Sequence, residues 1–306
     1  MNVNTGEFLM NADNETQGEV TTGPSSGPRV GRTAKALCLS LLVGLSSVGA
    51  AAADDDADAN TDAQHSANDQ PSDWKVGIGL GAINIPRYPG SRDDYTHVLP
   101  AVSLGYGRFF LGGLPGSGST LGVGAYLVRM EHFQFGVSVG GEVRKPREAS
   151  DDPILRGWGD IARTERGAAF ANYNIDWFNV HGYVSTDIGG KHEGTVASLS
   201  FDGRIHPLPK LTLSAGPEVL WTDSKYTRTF FGVTEAQATI ADIAPYDAKS
   251  GINMVRFGVG ADYALTQHWM LGAHVAYGKL QGDAADSPVT TDKTQRMLAA
   301  FAMYRF

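Results

Sequence analysis

The chain has 306 residues, 42% of them hydrophobic and 19% charged, with a net charge of −8. That acidic balance, with no basic cluster, excludes a nucleic-acid partner, because nothing would neutralise the phosphates. Beyond residue 53 no run of roughly 20 uninterrupted apolar residues occurs, which excludes a membrane protein built of helices, and many of the 38 glycines sit inside apolar stretches and not in linkers.

Residues 1–53 contain one apolar run, Ala36 to Val48, preceded by Arg29, Arg32 and Lys35 and followed by Ala50, Ala51, Ala52 and Ala53. A basic flank, a short apolar core and a small-residue exit make a secretory signal peptide, with cleavage expected near Ala50–Ala53. The competing reading is a short buried helix. The polar stretch before Arg29 is long for such a signal and fits an upstream start codon. Cys38, the only cysteine, follows Lys35-Ala36-Leu37 and so lacks the small residue that a lipoprotein signal carries there. A mature chain then has neither a lipid anchor nor a disulfide.

Residues 54–73 are acidic and almost free of apolar side chains. Such a segment buries too little to offset its ordering entropy, so it is expected as a flexible periplasmic tail. An acidic tether for a basic partner is the competing reading.

From Trp74 onward the pattern is strict alternation. In 132–144, Phe133, Phe135, Val137, Val139 and Val143 oppose His132, Gln134, Ser138, Glu142 and Arg144. In 211–222, Leu211, Leu213, Ala215, Val219 and Trp221 oppose Thr212, Ser214, Gly216 and Glu218; in 254–265, Val255, Phe257, Val259, Ala261, Tyr263 and Leu265 oppose Arg256, Gly258, Gly260 and Asp262. Period two means strand, with one apolar and one polar face. Twelve strands are predicted, over 74–83, 97–106, 107–112, 120–129, 131–144, 165–176, 178–189, 194–206, 210–222, 253–265, 268–280 and 294–306. Many reach the ten or so residues that a tilted strand needs to cross a bilayer.

Short connections fall near Gly107, Met130-Glu131, Trp177, Pro207-Leu208-Pro209 and Gln267; long ones cover 84–96, 113–119, 145–163, 190–193, 223–252 and 281–293. Short turns alternating with long loops predict an all-β, transmembrane outer-membrane antiparallel barrel over 74–306, turns in the periplasm and loops outside. The loop 223–252 has room for a short helix around Thr234–Ile240. Trp74, Tyr106, Trp177, Trp221, Trp269, Tyr277 and Tyr304 lie near strand ends, the headgroup level favoured by aromatic rings. The alternative all-β fold is a soluble sandwich, which the leader, these rings and the C-terminal strand argue against. Tyr304 and Phe306 in the closing Phe301-Ala302-Met303-Tyr304-Arg305-Phe306 resemble the signal read by the barrel assembly machinery of a Gram-negative envelope.

The polar faces carry Asp187, Asp202, Arg204, Glu218, Arg256 and Asp262. Their carboxylates are expected to pair in the lumen with Arg204, Arg256 and Arg144, narrowing the bore or selecting solutes. His181, His206 and His274 share those faces, where hydrogen bonding is the expectation. No nucleophile–base pair can be named, so no enzyme is predicted, and no cofactor is called for. Gly77-x-Gly79-x-Gly81 lies on alternate strand positions with no helix after it, unlike a dinucleotide loop. Asp283 and Asp286 are weighed as calcium ligands, but carboxylates beside Gly and Pro more often shape turns.

Several loops resemble the MipA/OmpV family. Pro86-Arg87-Tyr88-Pro89-Gly90-Ser91, with Tyr95 and Pro100, is similar to the family's opening P-x-Y-x-G-S. The stretch from Tyr226 through Phe231-Gly232-Val233 and Glu235-Ala236 to Tyr246 and Gly251 is similar to its Y-F-G-V…E-A…Y-x-A…G block, with Phe230 where the family often has Tyr. Gly282-Asp283-Ala284-Ala285-Asp286-Ser287-Pro288-Val289 resembles its G-D-A-A-D-S-P, and Arg156–Ile161 a further loop, with Trp158 at a position that is usually smaller. The resemblance covers residues 74–306. It implies an outer-membrane scaffold that holds a murein lytic transglycosylase near a bifunctional murein synthase. The residues themselves leave open a channel for small solutes, and a surface adhesin or receptor using Tyr226–Phe231. Outer-membrane lipid is a partner on any of these readings.

Overall fold

The computed structural model describes residues 74–113, 120–142, 145–191 and 193–306. The leader-like run, the acidic stretch 54–73 and Arg144 lie outside the described residues.

The described residues form twelve strands: β1 (Trp74–Pro86), β2 (Asp94–Tyr106), β3 (Phe109–Gly113), β4 (Thr120–Arg129), β5 (Phe133–Glu142), β6 (Glu165–Ile175), β7 (Phe178–Asp187), β8 (Thr195–Leu208), β9 (Leu211–Thr222), β10 (Gly251–Ala264), β11 (Trp269–Leu280) and β12 (Thr294–Arg305). Each pairs antiparallel with its sequence neighbour, and β12 returns to β1, so the sheet closes into a barrel. The closing register runs from Gly77↔Arg305 to Asn84↔Leu298. Closure leaves no sheet edge, which is what allows strands to stand in hydrocarbon where water cannot satisfy a backbone N–H.

Register puts the predicted apolar face outside. Ile78, Val102 and Tyr304 lie side by side across β2, β1 and β12, as do Val219, Val255 and Lys279 across β9, β10 and β11. Ile78 (52%), Val98 (64%) and Val259 (54%) are each more than half exposed, the signature of a wall that faces lipid and not a soluble core. Aromatic rings gather at the end bearing the short turns: Trp74 packs on Tyr106 at 4.6 Å, and Trp269 meets Tyr304 edge-on at 5.3 Å. Trp221 and Tyr277 mark the long-loop end, both partly exposed.

Inside, glycines make room for flattened rings. A Cβ on Gly124 would meet the Phe110 ring, one on Gly136 the Phe170 ring, and one on Gly272 the Phe301 ring. The abundance of glycine within apolar strands thus has a steric reason: inward aromatics lie against the wall of the next strand. Phe110, Tyr126 and Phe170 join in this way, with centroids 5.2–5.8 Å apart.

Among the described residues three α-helices sit in the long loops: α1 (Ser224–Phe231), α2 (Glu235–Ala241) and α3 (Gly282–Asp286). The expected helix near Thr234–Ile240 is α2, held by a capping box in which Gln237 N–H donates to Thr234 Oγ1 at 3.3 Å and Thr234 N–H to Gln237 Oε1 at 2.9 Å. The helix α1 was not predicted. Its signal is Asp223, which accepts from Tyr226 N–H at 2.8 Å as N-cap, but alternation carried over from β9 masks it.

Changing the outward Val259 to Arg is expected to cost about 2–4 kcal/mol near the bilayer midplane. Its neighbour Gly258 faces the lumen with nothing nearer than 3.9 Å to an added Cβ, so Gly258→Ser should be nearly neutral. Denaturant titration of the two variants folded in vesicles checks the difference; equal losses would contradict the assignment of faces.

Candidate functional site

The long loops meet over one mouth of the barrel, and the motif residues are what joins them. From α1, Phe230 and Phe231 are buried with Ile161, Ala248, Leu280, Ala284 and Ala285. A second cluster holds Tyr88, Leu155, Trp158, Val233, Ala238 and Val289. Loops 87–93, 145–164, 223–250 and 281–293 therefore share two small apolar cores above the lumen. Burying aromatics between loops is the way these connections gain enough contact to be ordered.

Polar contacts fix the same assembly. Ser287 Oγ donates to Phe231 O at 2.6 Å, and Val233 and Tyr246 exchange backbone bonds at 2.9 Å each. Tyr246 Oη donates to Asp283 O at 3.0 Å, while Lys249 N–H donates to Asp283 Oδ2 at 2.7 Å. Arg147 Nη1 donates to Phe230 O at 3.2 Å and lies over the Trp158 ring. Burial pushes the Tyr88 phenol up to about 12, so it remains a neutral donor, facing Val289 O and Asp152 Oδ2 at 3.4 Å each.

Two motif glycines have backbone reasons. Gly90 has φ 94°, and a Cβ there would come within 2.9 Å of Thr290 Oγ1, while its N–H donates to Gln295 Oε1 at 3.1 Å and its carbonyl accepts from Thr291 N–H at 2.8 Å. Gly282 has φ 50° and opens α3. Gly232 closes α1, its N–H donating to Arg228 O at 2.9 Å. Ser91 caps its own turn, Oγ donating to Asp93 O at 2.9 Å, while Pro86 ends β1 and Pro288 sits in the turn after Ser287. Asp283 and Asp286 are occupied by Lys249 N–H and by Lys293 Nζ at 2.9 Å. Among the described residues no group of three His, Cys, Asp or Glu side chains is placed to hold a metal ion.

From the cap, Tyr226 packs against a lumen cluster of Phe170, Tyr183 and Val196 with Phe110, Tyr126 and Leu220. It stacks on Phe230 at 4.3 Å. One aromatic thread thus runs from the cap into the bore, crossing β3, β4, β6, β7, β8 and β9.

The six lumen charges all fall on inward positions, but not all pair as expected. Glu218 bonds Arg256 directly across β9 and β10. Asp262 meets His274 Nε2 at 3.2 Å. Asp187, at the loop end of β7, accepts from Thr164 Oγ1 and from the N–H groups of Gly190 (3.0 Å) and Glu193 (3.1 Å), so it shapes a loop and does not neutralise an arginine. Asp202 and Arg204 lie on the inward face of β8, two residues apart. His206 is exposed at the short-turn end of β8.

Sequence patterns did not flag Glu193, which is fully buried beside Arg166 at 3.3 Å. The Glu142 side chain hydrogen-bonds it from the other side. A separate pattern, Gly136-Val137-Ser138-Val139-Gly140, spells the G-x-S-x-G of a nucleophile elbow. It runs inside β5 with no strand-to-helix turn, and among the described residues the buried Ser138 hydroxyl has no hydrogen-bond partner, unlike the serine of such an elbow.

Burial, and then the facing Glu142 carboxylate, push the Glu193 carboxyl up to about 9 against the pull of Arg166; Asp187 adds to the rise. A folded pKa above the ordinary 4.5 gives stability that is complete below 4.5 and is lost as pH rises through 9. The thermal midpoint of the folded barrel should fall across that window, and Glu193→Gln should flatten the dependence. A midpoint that rises with pH would contradict the assignment.

The chain is similar to several known proteins. The family model described as MltA-interacting protein MipA matches residues 78–306. "Putative outer membrane protein YiaT" of Escherichia coli O157:H7 is 24% identical over 217 residues, covering 70% of this chain and 84% of the relative. Among solved structures, an outer membrane channel from Pseudomonas putida F1 has a TM-score of 0.44 at 13% identity, covering 79% of this chain and 100% of that one. The NanC porin has a TM-score of 0.43 at 8% identity, with 76% and 100% covered. On the family match over residues 78–306, this outer-membrane β-barrel belongs to the MipA family.

Proposed function

We propose that the protein is a non-catalytic outer-membrane scaffold that holds a murein lytic transglycosylase beside a bifunctional murein synthase during cell-wall growth. The observation that carries this reading is the family match, whose description names an MltA-interacting protein. The cap supports it: the loops above the lumen are packed into two apolar cores and tied by buried hydrogen bonds, an arrangement suited to a fixed body more than to an unobstructed pore. The contact surface for the enzymes is then the periplasmic end, with its short turns and the acidic segment 54–73, reached after a signal peptide is removed near Ala50–Ala53. Insertion proceeds through the barrel assembly machinery, read from Tyr304 and Phe306.

A channel for small solutes is the second reading. Glu218–Arg256 favours it, since it places a charge pair on the lumen wall.

Affinity capture of the detergent-folded barrel against purified murein hydrolases and synthases, with an unrelated barrel as control, separates the two. Capture of a lytic transglycosylase, weakened by deleting residues 54–73 or altering the periplasmic turns, is the expected outcome. No capture above control, together with a steady bilayer conductance, would replace the scaffold with the channel. Deleting Phe306, whose N–H donates to Val76 O at 3.0 Å, should slow assembly more than it lowers final stability. Unchanged insertion kinetics would remove the terminal residues from the assembly signal.

A further inference from the structure

Among the outward positions of the described strands, Lys279 and Arg296 are the only lysine and arginine, and they are neighbours. Lys279 of β11 lies across from Val255 of β10, and Arg296 of β12 across from Tyr277 of β11. Val255 and Tyr277 face lipid, and pairing in register carries both cations to that same side. Lys279 stands opposite Thr294, so Arg296 is its diagonal neighbour, about 7–8 Å away. Both side chains are exposed, and neither has an ion-pair partner among the described residues. The outward acidic residues are Asp94, first in β2 and two strands from Arg296, and Glu165, first in β6. Lys293, just before β12, is already tied to Asp286 at 2.9 Å.

Height and charge identify the partner. From Trp269, among the aromatics of the short-turn end, to Lys279, β11 rises about 23 Å for a strand tilted near 45°. That is close to the whole of a ~25 Å apolar band, so the pair stands at the outer edge of the membrane. Tyr277, directly opposite Arg296, is the kind of ring that settles at headgroup level. A basic side chain on the lipid face is costly at the midplane and nearly free at the interface. There its aliphatic stem lies on the wall while the charge reaches the headgroups. Facing sideways into the membrane, the pair meets lipid headgroups before any soluble molecule. Two unpaired cations so spaced suit a phosphate held between them, and the outer leaflet of a Gram-negative envelope presents phosphate on a glycolipid.

We propose that Lys279 and Arg296 clamp a phosphate of one phosphorylated glycolipid of the outer leaflet, whose acyl chains lie down the wall over Val275 and Leu298. Those two residues face each other across β11 and β12 and are open to the outside. The site depends only on the barrel and its orientation, not on the scaffold reading. It gives the protein a preferred lipid beside the seam where β12 meets β1.

Native mass spectrometry of the delipidated, detergent-folded full chain tests it, with diphosphorylated lipid A and its dephosphorylated form as probes. One diphosphorylated lipid A per barrel should be retained, about tenfold more tightly than the dephosphorylated form. Lys279→Gln combined with Arg296→Gln should remove that difference and leave the dephosphorylated form unchanged. Lys279→Arg combined with Arg296→Lys, which keeps both charges, should preserve it. Lys210→Gln, the same loss of charge at the short-turn end, should also preserve it. Should the double glutamine variant not fold, Lys279→Gln alone serves, with a smaller loss expected. Retention indifferent to the phosphates, or to the glutamine substitutions, would overturn the clamp. Equal retention of phosphatidylglycerol would overturn the glycolipid assignment. A dimer of the chain broken by the glutamine variant would overturn the site too, by assigning the pair to a second copy.

Discussion

Everything else in this molecule depends on the pairing of β1 with β12. In hydrocarbon each unpaired backbone N–H or C=O costs several kcal/mol, and a strand edge exposes a whole row of them. The register from Gly77↔Arg305 to Asn84↔Leu298 removes the last edge. It also aligns Tyr304 with Ile78 on the outer face, so hydrogen bonding and sidedness are settled by one contact. A shift of one residue there would turn Leu298 and Tyr304 into the lumen and Phe301 into the lipid.

Once the wall is closed, its two ends are under different constraints. The short turns need only reverse the chain, and aromatic rings anchor that end at the headgroups. The long loops carry apolar side chains that neither lipid nor the sheet can cover, so they cover one another. Tyr88, Trp158, Val233 and Val289 come from four different loops and meet in one cluster. The family motifs make sense in this light. Gly90, Gly282, Ser287 and Asp283 serve the geometry of loop junctions, and no substrate-directed role is needed to explain their placement.

The lumen shows a compromise between filling and polarity. Rings laid flat on glycines keep bulky groups against the wall, while Glu218–Arg256 pairs charges that would be costly alone. Tyr226 links this interior to the cap, so a change at the mouth has a path of direct packing into the bore.

The strand pattern was legible in the sequence because a two-residue period and the turn residues between strands are local properties. All twelve strands, the outward Val255-x-Phe257-x-Val259 face and the alternation of short and long connections follow from it. The helix α2 was visible through Thr234 and Gln237, while α1 was hidden because its capping Asp223 directly follows a strand of the same polarity pattern. The inward position of Asp187 was readable too, but not its partners, since Thr164 and the Gly190 and Glu193 amides approach only when loops fold back. The motif residues were visible as motifs, yet their convergence was not: Tyr88 and Val289 lie at opposite ends of the barrel sequence and touch because β12 closes on β1. The buried Glu193 belongs to the same class. Periodicity along a chain tells which face a residue takes; what it faces depends on closure and register, and these exist only in the folded wall.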